Sequence, residues 1–327
     1  MKDLSPLFEI LRIAVKREVD AFNYYSIASK ASPLEETRAL FTQLAEEERK
    51  HRRALLQEIL ALRRFAQKGK RDFISSGEVS YPLPEELPFQ RPDSIPQVEV
   101  ASLSLPGRFV GGDYFRTFPW EGKDGENALG IILFDVMGHG LGATGLKSRL
   151  AEEIGHLSEV SWGENWRRHF SPTHLVSRLN RRLAEECARG SAFITLFSGF
   201  FYRNIFSYTS AGHEPPLLVS PRGKLQVLSD TQLPLCVEGE MIYSQVQVEL
   251  VPGALLLLFS DGLIEAENGQ EEPYGRERLV DLLKKSQDLS AEGVLKEVIN
   301  SLREFLDGAR LRDELTLAVV RFMSPDA

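Results

Sequence analysis

The sequence predicts an α+β fold in which an antiparallel β-sandwich flanked by helices follows an α-helical hairpin. After residue 98, short apolar runs recur mostly as adjacent pairs, and helical patterns arrive in pairs between them. That order favours antiparallel sheets covered by helices over a parallel doubly wound sheet. Before residue 71, two long segments show helical periodicity instead.

Composition and length narrow the possible classes of protein. The 327 residues are enough for one large and one small domain. A formal net charge of −8 argues against nucleic acid as the main partner. No apolar run reaches the roughly 18 residues that a membrane helix needs, and the N-terminus lacks the pattern of a secretory signal. We therefore expect a cytoplasmic protein with no membrane partner.

Three segments follow from this pattern: a hairpin at residues 1–70, a linker at 71–97 and a larger domain at 98–327. The linker contains five prolines, a density that forbids a helix or a central strand. We expect an extended and fairly stiff connector there.

The hairpin carries polar residues inside its apolar stripes. Glu18 falls among the apolar residues of the first helical segment, and Glu48 and His51 fall among those of the second. Burying such groups is costly without compensation, which a metal ion would supply. The other interpretation is a plain dimerising hairpin with these side chains at the stripe edge, because the run EEERKHRR is also typical of a solvated face.

The hairpin resembles the rubrerythrin branch of the ferritin-like proteins. The residues that match are Glu18, Ala21 and Tyr24-Tyr25, and the run LAEEERKH from Leu44 to His51. In ferritin-like bundles, a Glu-x-x-His pair and a Glu on a neighbouring helix form half of a di-iron site. The resemblance implies a homodimer through residues 1–70, in which the two hairpins form a four-helix bundle. Glu18, Glu48 and His51 of both copies would then surround dinuclear iron.

Four aspartates of the larger domain stand at predicted strand ends: Asp113, Asp135, Asp261 and Asp313. Asp135 leaves the apolar run IILF just before a glycine-rich turn. An isolated aspartate in that position most simply caps the next turn. The fourfold repetition favours a site for a hard cation, because Mg²⁺ and Mn²⁺ prefer carboxylate oxygens.

Six stretches resemble, in order and spacing, the PPM-type metal-dependent serine/threonine phosphatases of the SpoIIE/RsbU-like branch. They span residues 98–322 and read LPGRFVGGDYF, FDVMGHGLGAT, YTSAGHEPPLLV, TQLPLCV, LLLFSDGLIEAENGQEEPYGRERL and RDELTLAVV. Two positions depart from the family pattern. Arg116 stands where an acidic residue is frequent, and Glu314 follows Asp313 where a second aspartate is common. All four ligand aspartates are present, so we expect an active enzyme.

The resemblance also implies a role for individual residues. The four aspartates and the backbone carbonyl of Val136 would bind two Mn²⁺ or Mg²⁺ ions, bridged by Asp135. These ions would activate a water for in-line attack on phosphorus. Arg108 would steady the phosphate through a bidentate contact, although a surface arginine is the other interpretation.

We therefore expect a protein serine/threonine phosphatase regulated by an N-terminal dimeric module. For this branch, the implied substrate is a phosphorylated anti-sigma-factor antagonist of STAS type. The alternative is a ferritin-like redox enzyme, or an iron or oxygen sensor, whose phosphatase domain is only an output with an unknown substrate.

Overall fold

The predicted fold class is confirmed: a helical hairpin precedes two antiparallel sheets with helices against them. The structure is a computed structural model that describes residues 5–67, 82–85, 87–105, 112–121, 127–137, 141–161, 171–190 and 192–323. Within these ranges, no helix is both long enough and apolar enough to span a membrane.

The hairpin packs on the larger domain. It consists of α1 (Ser5–Ala31) and α2 (Glu35–Gln67). Helical periodicity gathers Val15 and Val19 on one face of α1 and places Leu56 on the facing side of α2. These buried side chains belong to the same apolar core as residues of the sandwich, so the two segments share one core.

Ten strands form the sandwich within the described ranges. They are β1 (Val98–Leu105), β2 (Tyr114–Glu121), β3 (Asn127–Met137), β4 (Phe193–Tyr202), β5 (Ile205–Ala211), β6 (Leu217–Val219), β7 (Leu225–Val227), β8 (Val246–Glu249), β9 (Leu255–Phe259) and β10 (Leu315–Phe322). One sheet has the order β1-β10-β9-β6-β7 and the other the order β2-β3-β4-β5-β8. Neighbouring strands run antiparallel.

In the part of the chain that the structure describes, five helices accompany the strands: α3 (Leu141–Ser161), α4 (Pro172–Gly190), α5 (Asp261–Ile264), α6 (Arg276–Lys285) and α7 (Ala291–Leu306). Helices α3 and α4 pack beside the second sheet, and α6 and α7 pack beside the first. Each sheet is therefore covered by a helix pair on its outer face, as the paired helical patterns predicted.

Strand β3 is buried on both faces, which explains its uninterrupted apolar run. Leu129, Ile131 and Leu133 pack between the two sheets, whereas Ile132 and Phe134 pack toward the hairpin and helices. Because side chains alternate along a strand, the residue at 135 continues the face that lies between the sheets. The end of β3 thus places the carboxylate of Asp135 at the end of the sandwich interior.

The sequence patterns predict most of the observed helices and strands and miss three of them. The apolar runs VEVASLSL, FITLFSGFFY and LTLAVVRF predict strands, and β1, β4 and β10 occupy these runs from end to end. The missed elements are β2, β7 and the short α5. Strand β2 contains Pro119, which an edge strand tolerates because one side of its backbone has no partner.

Part of the predicted linker lies outside the described residues. Where it is described, the chain follows the sandwich: the backbones of Gln90 and Ser102 exchange hydrogen bonds of 2.8 and 3.0 Å. Ile95 is buried. The boundaries placed at residues 70 and 97 stay predictions.

Candidate active site

The four aspartates come from both sheets and converge at one end of the sandwich. Asp135 lies near the end of β3, Asp113 just before β2, Asp261 at the start of α5 and Asp313 just before β10. The charges of the other three aspartates all act on the Asp135 carboxylate. The sequence placed these residues at strand ends, and the antiparallel order of the two sheets brings those ends together.

Close backbone contacts hold the acidic segments against each other. A Cβ atom at Gly112 would lie 2.3 Å from Asp135 Oδ1 and 2.8 Å from the Val136 carbonyl oxygen. A Cβ atom at Gly262 would lie 1.8 Å from the Glu314 carbonyl oxygen. Only glycine permits these approaches, so Gly112 and Gly262 both serve the assembly of the acidic cluster.

Asp113, Asp135 and Asp261 are crowded, poorly hydrated acids, whereas the side chain of Asp313 is 59% exposed. Burial, together with the charges of Asp261 and Glu314, raises the pKa of Asp113 to about 8. Burial also raises the pKa of Asp261 to about 7, and it raises the pKa of Asp135 well above its ordinary value. Asp113 Oδ2 is buried and has no hydrogen-bond partner within the described chain. Such a donor set fits a divalent cation, whose charge would relieve the repulsion.

Glu314 contributes to the cluster despite its departure from the family pattern. Its Oε2 accepts a hydrogen bond of 2.8 Å from the backbone nitrogen of Asp113. The longer side chain therefore reaches across from the start of β10 and fixes the backbone that carries another acidic residue. Arg108, by contrast, lies outside the described residues.

An arginine of the hairpin lies among these carboxylates. Arg53 Nη2 is 3.0 Å from Asp261 Oδ2 and 3.8 Å from Asp313 Oδ2. Its Nη1 also pairs with Glu265. Burial alone would lower the pKa of Arg53, but the surrounding carboxylates outweigh burial and raise it. The sequence interpretation missed this residue because it falls in the charged run of α2.

Two further arginines of the same run are buried. Arg49 and Arg52 are each 5% exposed. Arg49 Nη1 lies 2.7 Å from Glu214 Oε1, and Arg276 Nη2 lies 2.9 Å from Glu214 Oε2. The available signal was helical spacing, because Arg49, Arg52 and Arg53 recur at the three- and four-residue intervals of one helix face.

A cleft lies between α2 and the sandwich. The three arginines line its hairpin side, and its other side includes Asp135, Asp261 and His213. Burial lowers the pKa of His213 to about 4, so its imidazole is neutral at physiological pH. The cleft therefore joins the acidic cluster to a basic helix face.

The predicted residues of the hairpin form a second group. Glu18, Glu48 and His51 each offer a ligand atom within 4.8 Å of the others. His51 Nδ1 lies 3.3 Å from Glu48 Oε2 and 3.6 Å from Glu18 Oε2. Burial and the neighbouring Glu48 raise the pKa of Glu18. The prediction that His51 lies on a buried face is wrong for the single chain, since its side chain is 63% exposed.

Two segments of the chain match known protein families. Residues 125–323, more than half of the chain, match the family described as stage II sporulation protein E (SpoIIE). The chain belongs to the SpoIIE family. Residues 9–72 of this SpoIIE-family protein match rubrerythrin. Both resemblances predicted from the motifs are therefore confirmed.

Curated relatives of this SpoIIE-family protein include two phosphatases of Bacillus subtilis. The chain is 30% identical to phosphoserine phosphatase RsbU over 235 residues, which cover 69% of this chain and 65% of the relative. It is 24% identical to phosphoserine phosphatase RsbP over 63% of this chain and 48% of that relative. The chain thus spans less than two thirds of the length of either protein.

Solved structures show the same fold. The RsbU and RsbW domains of a Mycobacterium tuberculosis protein align with a TM-score of 0.56 at 23% identity, over 76% of this chain and 64% of that one. The SiaA PP2C domain of Pseudomonas aeruginosa aligns with a TM-score of 0.54 at 20% identity, over 68% and 85% of the two chains. The sandwich is therefore a PP2C-like fold.

Proposed function

We propose that this SpoIIE-family protein is a Mn²⁺- or Mg²⁺-dependent phosphatase that hydrolyses phosphoserine or phosphothreonine on a regulatory protein. The observation that carries the proposal is the convergence of four aspartates from both sheets around a buried carboxylate oxygen of Asp113 that has no hydrogen-bond partner among the described residues. Family membership and the phosphoserine phosphatase RsbU as a relative support the same activity.

The chain's own groups have distinct tasks in this proposal. Bound divalent cations would supply Lewis-acid activation of water and neutralise charge on the phosphoryl group. The aspartates and the Val136 carbonyl would hold those cations, and Glu314 would fix the Asp113 backbone. The narrow contact at Gly112 keeps Asp135 and Val136 against the neighbouring acidic segment.

Substitution of the acids tests the activity. Asp135→Asn and Asp261→Asn should each lower phosphatase turnover with Mn²⁺ at least about 100-fold, since metal binding supplies several kcal/mol of catalysis. Hydrolysis of a phosphorylated STAS-type protein measures turnover, and calorimetry measures Mn²⁺ affinity. Asp288→Asn, at an exposed position, is the matched control. Full activity in either site variant would refute the assignment.

The substrate class follows from resemblance to the branch, so we propose a phosphorylated anti-sigma-factor antagonist of STAS type. Rates for that protein should exceed those for an unrelated phosphoprotein of similar size. Equal rates for both would contradict this part of the proposal and leave the phosphatase activity intact.

We further propose that the hairpin forms a homodimer. Ile10, Ile13, Tyr24 and Ile27 are 62%, 45%, 67% and 60% exposed, and their spacing places them on one side of α1. An apolar stripe of this kind suits a second amphipathic helix pair. Ile27→Asp should shift the protein from dimer to monomer in light scattering. Ile242→Asp, which alters an exposed isoleucine of the sandwich, should leave the dimer intact.

The second candidate function is iron or redox sensing by that dimer. It is favoured by the ligand atoms of Glu18, Glu48 and His51, which lie within 4.8 Å of one another. Each chain would supply half of a dinuclear centre. Iron analysis of anaerobically purified protein should find about two irons per dimer, the number the ferritin-like site holds. His51→Ala should lose them, and a wild-type protein without iron would end this proposal.

Regulation by the hairpin has a physical route in Arg53. Its guanidinium pairs with Asp261 and Asp313, two of the proposed metal ligands, so hairpin packing and cation binding compete for the same oxygens. Arg53→Met should therefore tighten Mn²⁺ binding in calorimetry. Arg38→Met, on the exposed part of α2, should not. Unchanged or weaker Mn²⁺ binding by Arg53→Met would argue against this route.

A further inference from the structure

The cleft between α2 and the sandwich contains two buried polar atoms that have no partner in the described chain. They are Arg52 Nη1 and His213 Nε2. The two residues are 5% and 2% exposed, and both line the cleft. Buried polar groups are nearly always satisfied in native proteins, so two orphans in one cavity indicate a ligand.

Arg52 has no carboxylate of its own among the described residues. Its Nη2 donates a hydrogen bond of 3.2 Å to the Gly212 carbonyl oxygen, and its guanidinium lies over the Phe22 ring at 5.8 Å. Glu214, whose charge acts on Arg52, already has one oxygen on Arg49 and the other on Arg276. A buried positive charge without a counter-ion is strongly unfavourable, and an anion in the cleft would remove that penalty.

His213 supplies a second donor on the opposite wall. Its Nδ1 lies 3.1 Å from Thr195 Oγ1. When the hydroxyl donates to Nδ1, the single proton of the neutral imidazole resides on Nε2, the orphan atom. The cleft thus presents a guanidinium donor from the hairpin and an imidazole donor from the sandwich.

We propose that Arg52 and His213 form an oxyanion subsite that binds a phosphoryl group, so that the rubrerythrin-like hairpin supplies part of the substrate-binding site. The inference rests on the proposed phosphatase function, because Asp135 and Asp261 line the same cleft. A guanidinium presents two parallel donors to a phosphate, which suits this geometry. The phosphoryl group belongs either to the phosphoprotein or to the inorganic phosphate that its hydrolysis releases.

Phosphate binding by the full-length protein tests the subsite. Calorimetry and thermal denaturation with inorganic phosphate are run on metal-free protein and again with Mn²⁺. Arg52→Met keeps the length of the side chain and removes its donors, and it should weaken phosphate binding about 10- to 100-fold. The phosphate affinity of Arg52→Lys should lie between those of wild type and Arg52→Met, because lysine keeps the charge but lacks the planar guanidinium group. Arg38→Met should bind phosphate like wild type.

The readouts separate a binding role from a packing role. Phosphate should raise the melting temperature of the wild type and not that of Arg52→Met, and Arg52→Met should raise the KM for phosphoprotein more than it lowers kcat. His213→Phe, a second variant, should also weaken phosphate binding. Equal phosphate affinity in wild type and both variants overturns the subsite. The subsite is also overturned if Arg52→Met melts at a lower temperature than wild type but is still stabilised by phosphate to the same extent.

Two further outcomes separate the ligand sources and the two proposals. Tighter binding of a phosphoserine peptide than of inorganic phosphate, lost in Arg52→Met, indicates a substrate subsite, whereas equal affinities indicate a product subsite. Phosphate binding that depends on Arg52 in a protein that hydrolyses no phosphoprotein would refute the proposed function and support the subsite.

Discussion

Replacement of Glu214 by glutamine tests how the hairpin is held on the larger domain. The carboxylate lies between Arg49 of α2 and Arg276 of α6, at 2.7 and 2.9 Å. Glutamine keeps the shape but removes the charge, which leaves the buried Arg49 and the half-buried Arg276 without their shared counter-ion.

The structure sets the size of the effect. Burial raises the pKa of Glu214, but Arg49, Arg276 and Arg52 outweigh burial and hold it at about 2, against an ordinary value of 4.5. A depression of that size corresponds to about 3 kcal/mol of stability at neutral pH. Removing one partner of a buried ion pair independently suggests about 3–5 kcal/mol. The melting temperature of Glu214→Gln should therefore fall by about 6–20 °C.

The pH dependence has a definite sign. Because the pKa of folded Glu214 is depressed, its contribution is fully present above pH 4.5 and is lost as the pH falls toward 2. Calorimetry of wild type and Glu214→Gln at pH 7 should show the full difference, which should narrow below pH 4.5. Glu297→Gln, at an exposed position, is the control. A difference of less than about 2 °C at pH 7 would refute the reasoning.

Three further substitutions test other parts of the structure. Gly112→Ala places a methyl group 2.3 Å from Asp135 Oδ1. The Mn²⁺ affinity measured by calorimetry should therefore fall at least about tenfold. An affinity equal to that of wild type would contradict the close contact. Ser290→Ala removes the hydroxyl that accepts a hydrogen bond from the Gly293 backbone nitrogen at the start of α7. Chemical denaturation should show that the free energy of unfolding falls by about 1 kcal/mol, and turnover should be unchanged. Leu302→Ala opens a cavity beneath α7 in a fully buried position, and the same measurement should show a loss of about 2–5 kcal/mol. A loss below about 1 kcal/mol would mean that α7 is not packed as described.

Local patterns predicted the fold because each central element carries its own signal. The apolar run before Asp135 predicted a strand, and β3 is buried on both faces as such a run requires. Strand β2 was missed because it lies at a sheet edge, where Arg116 and Pro119 are tolerated and the apolar pattern is weak. The sequence likewise did not show that Glu314 reaches the Asp113 backbone, since 201 residues separate the two.

By itself, the sequence determined the four aspartates at strand ends, their likeness to a metal-dependent phosphatase and the Glu-x-x-His pair of the hairpin. These are short-range features, in which composition and spacing carry the chemistry. Only the tertiary structure decided the role of Arg49, Arg52 and Arg53. A charged run on a helix has the same local pattern whether it faces water or protein, and Glu214 lies 165 residues from Arg49. Packing of the shared core brings them together, which turns an ordinary basic helix face into one wall of the cleft beside the aspartates.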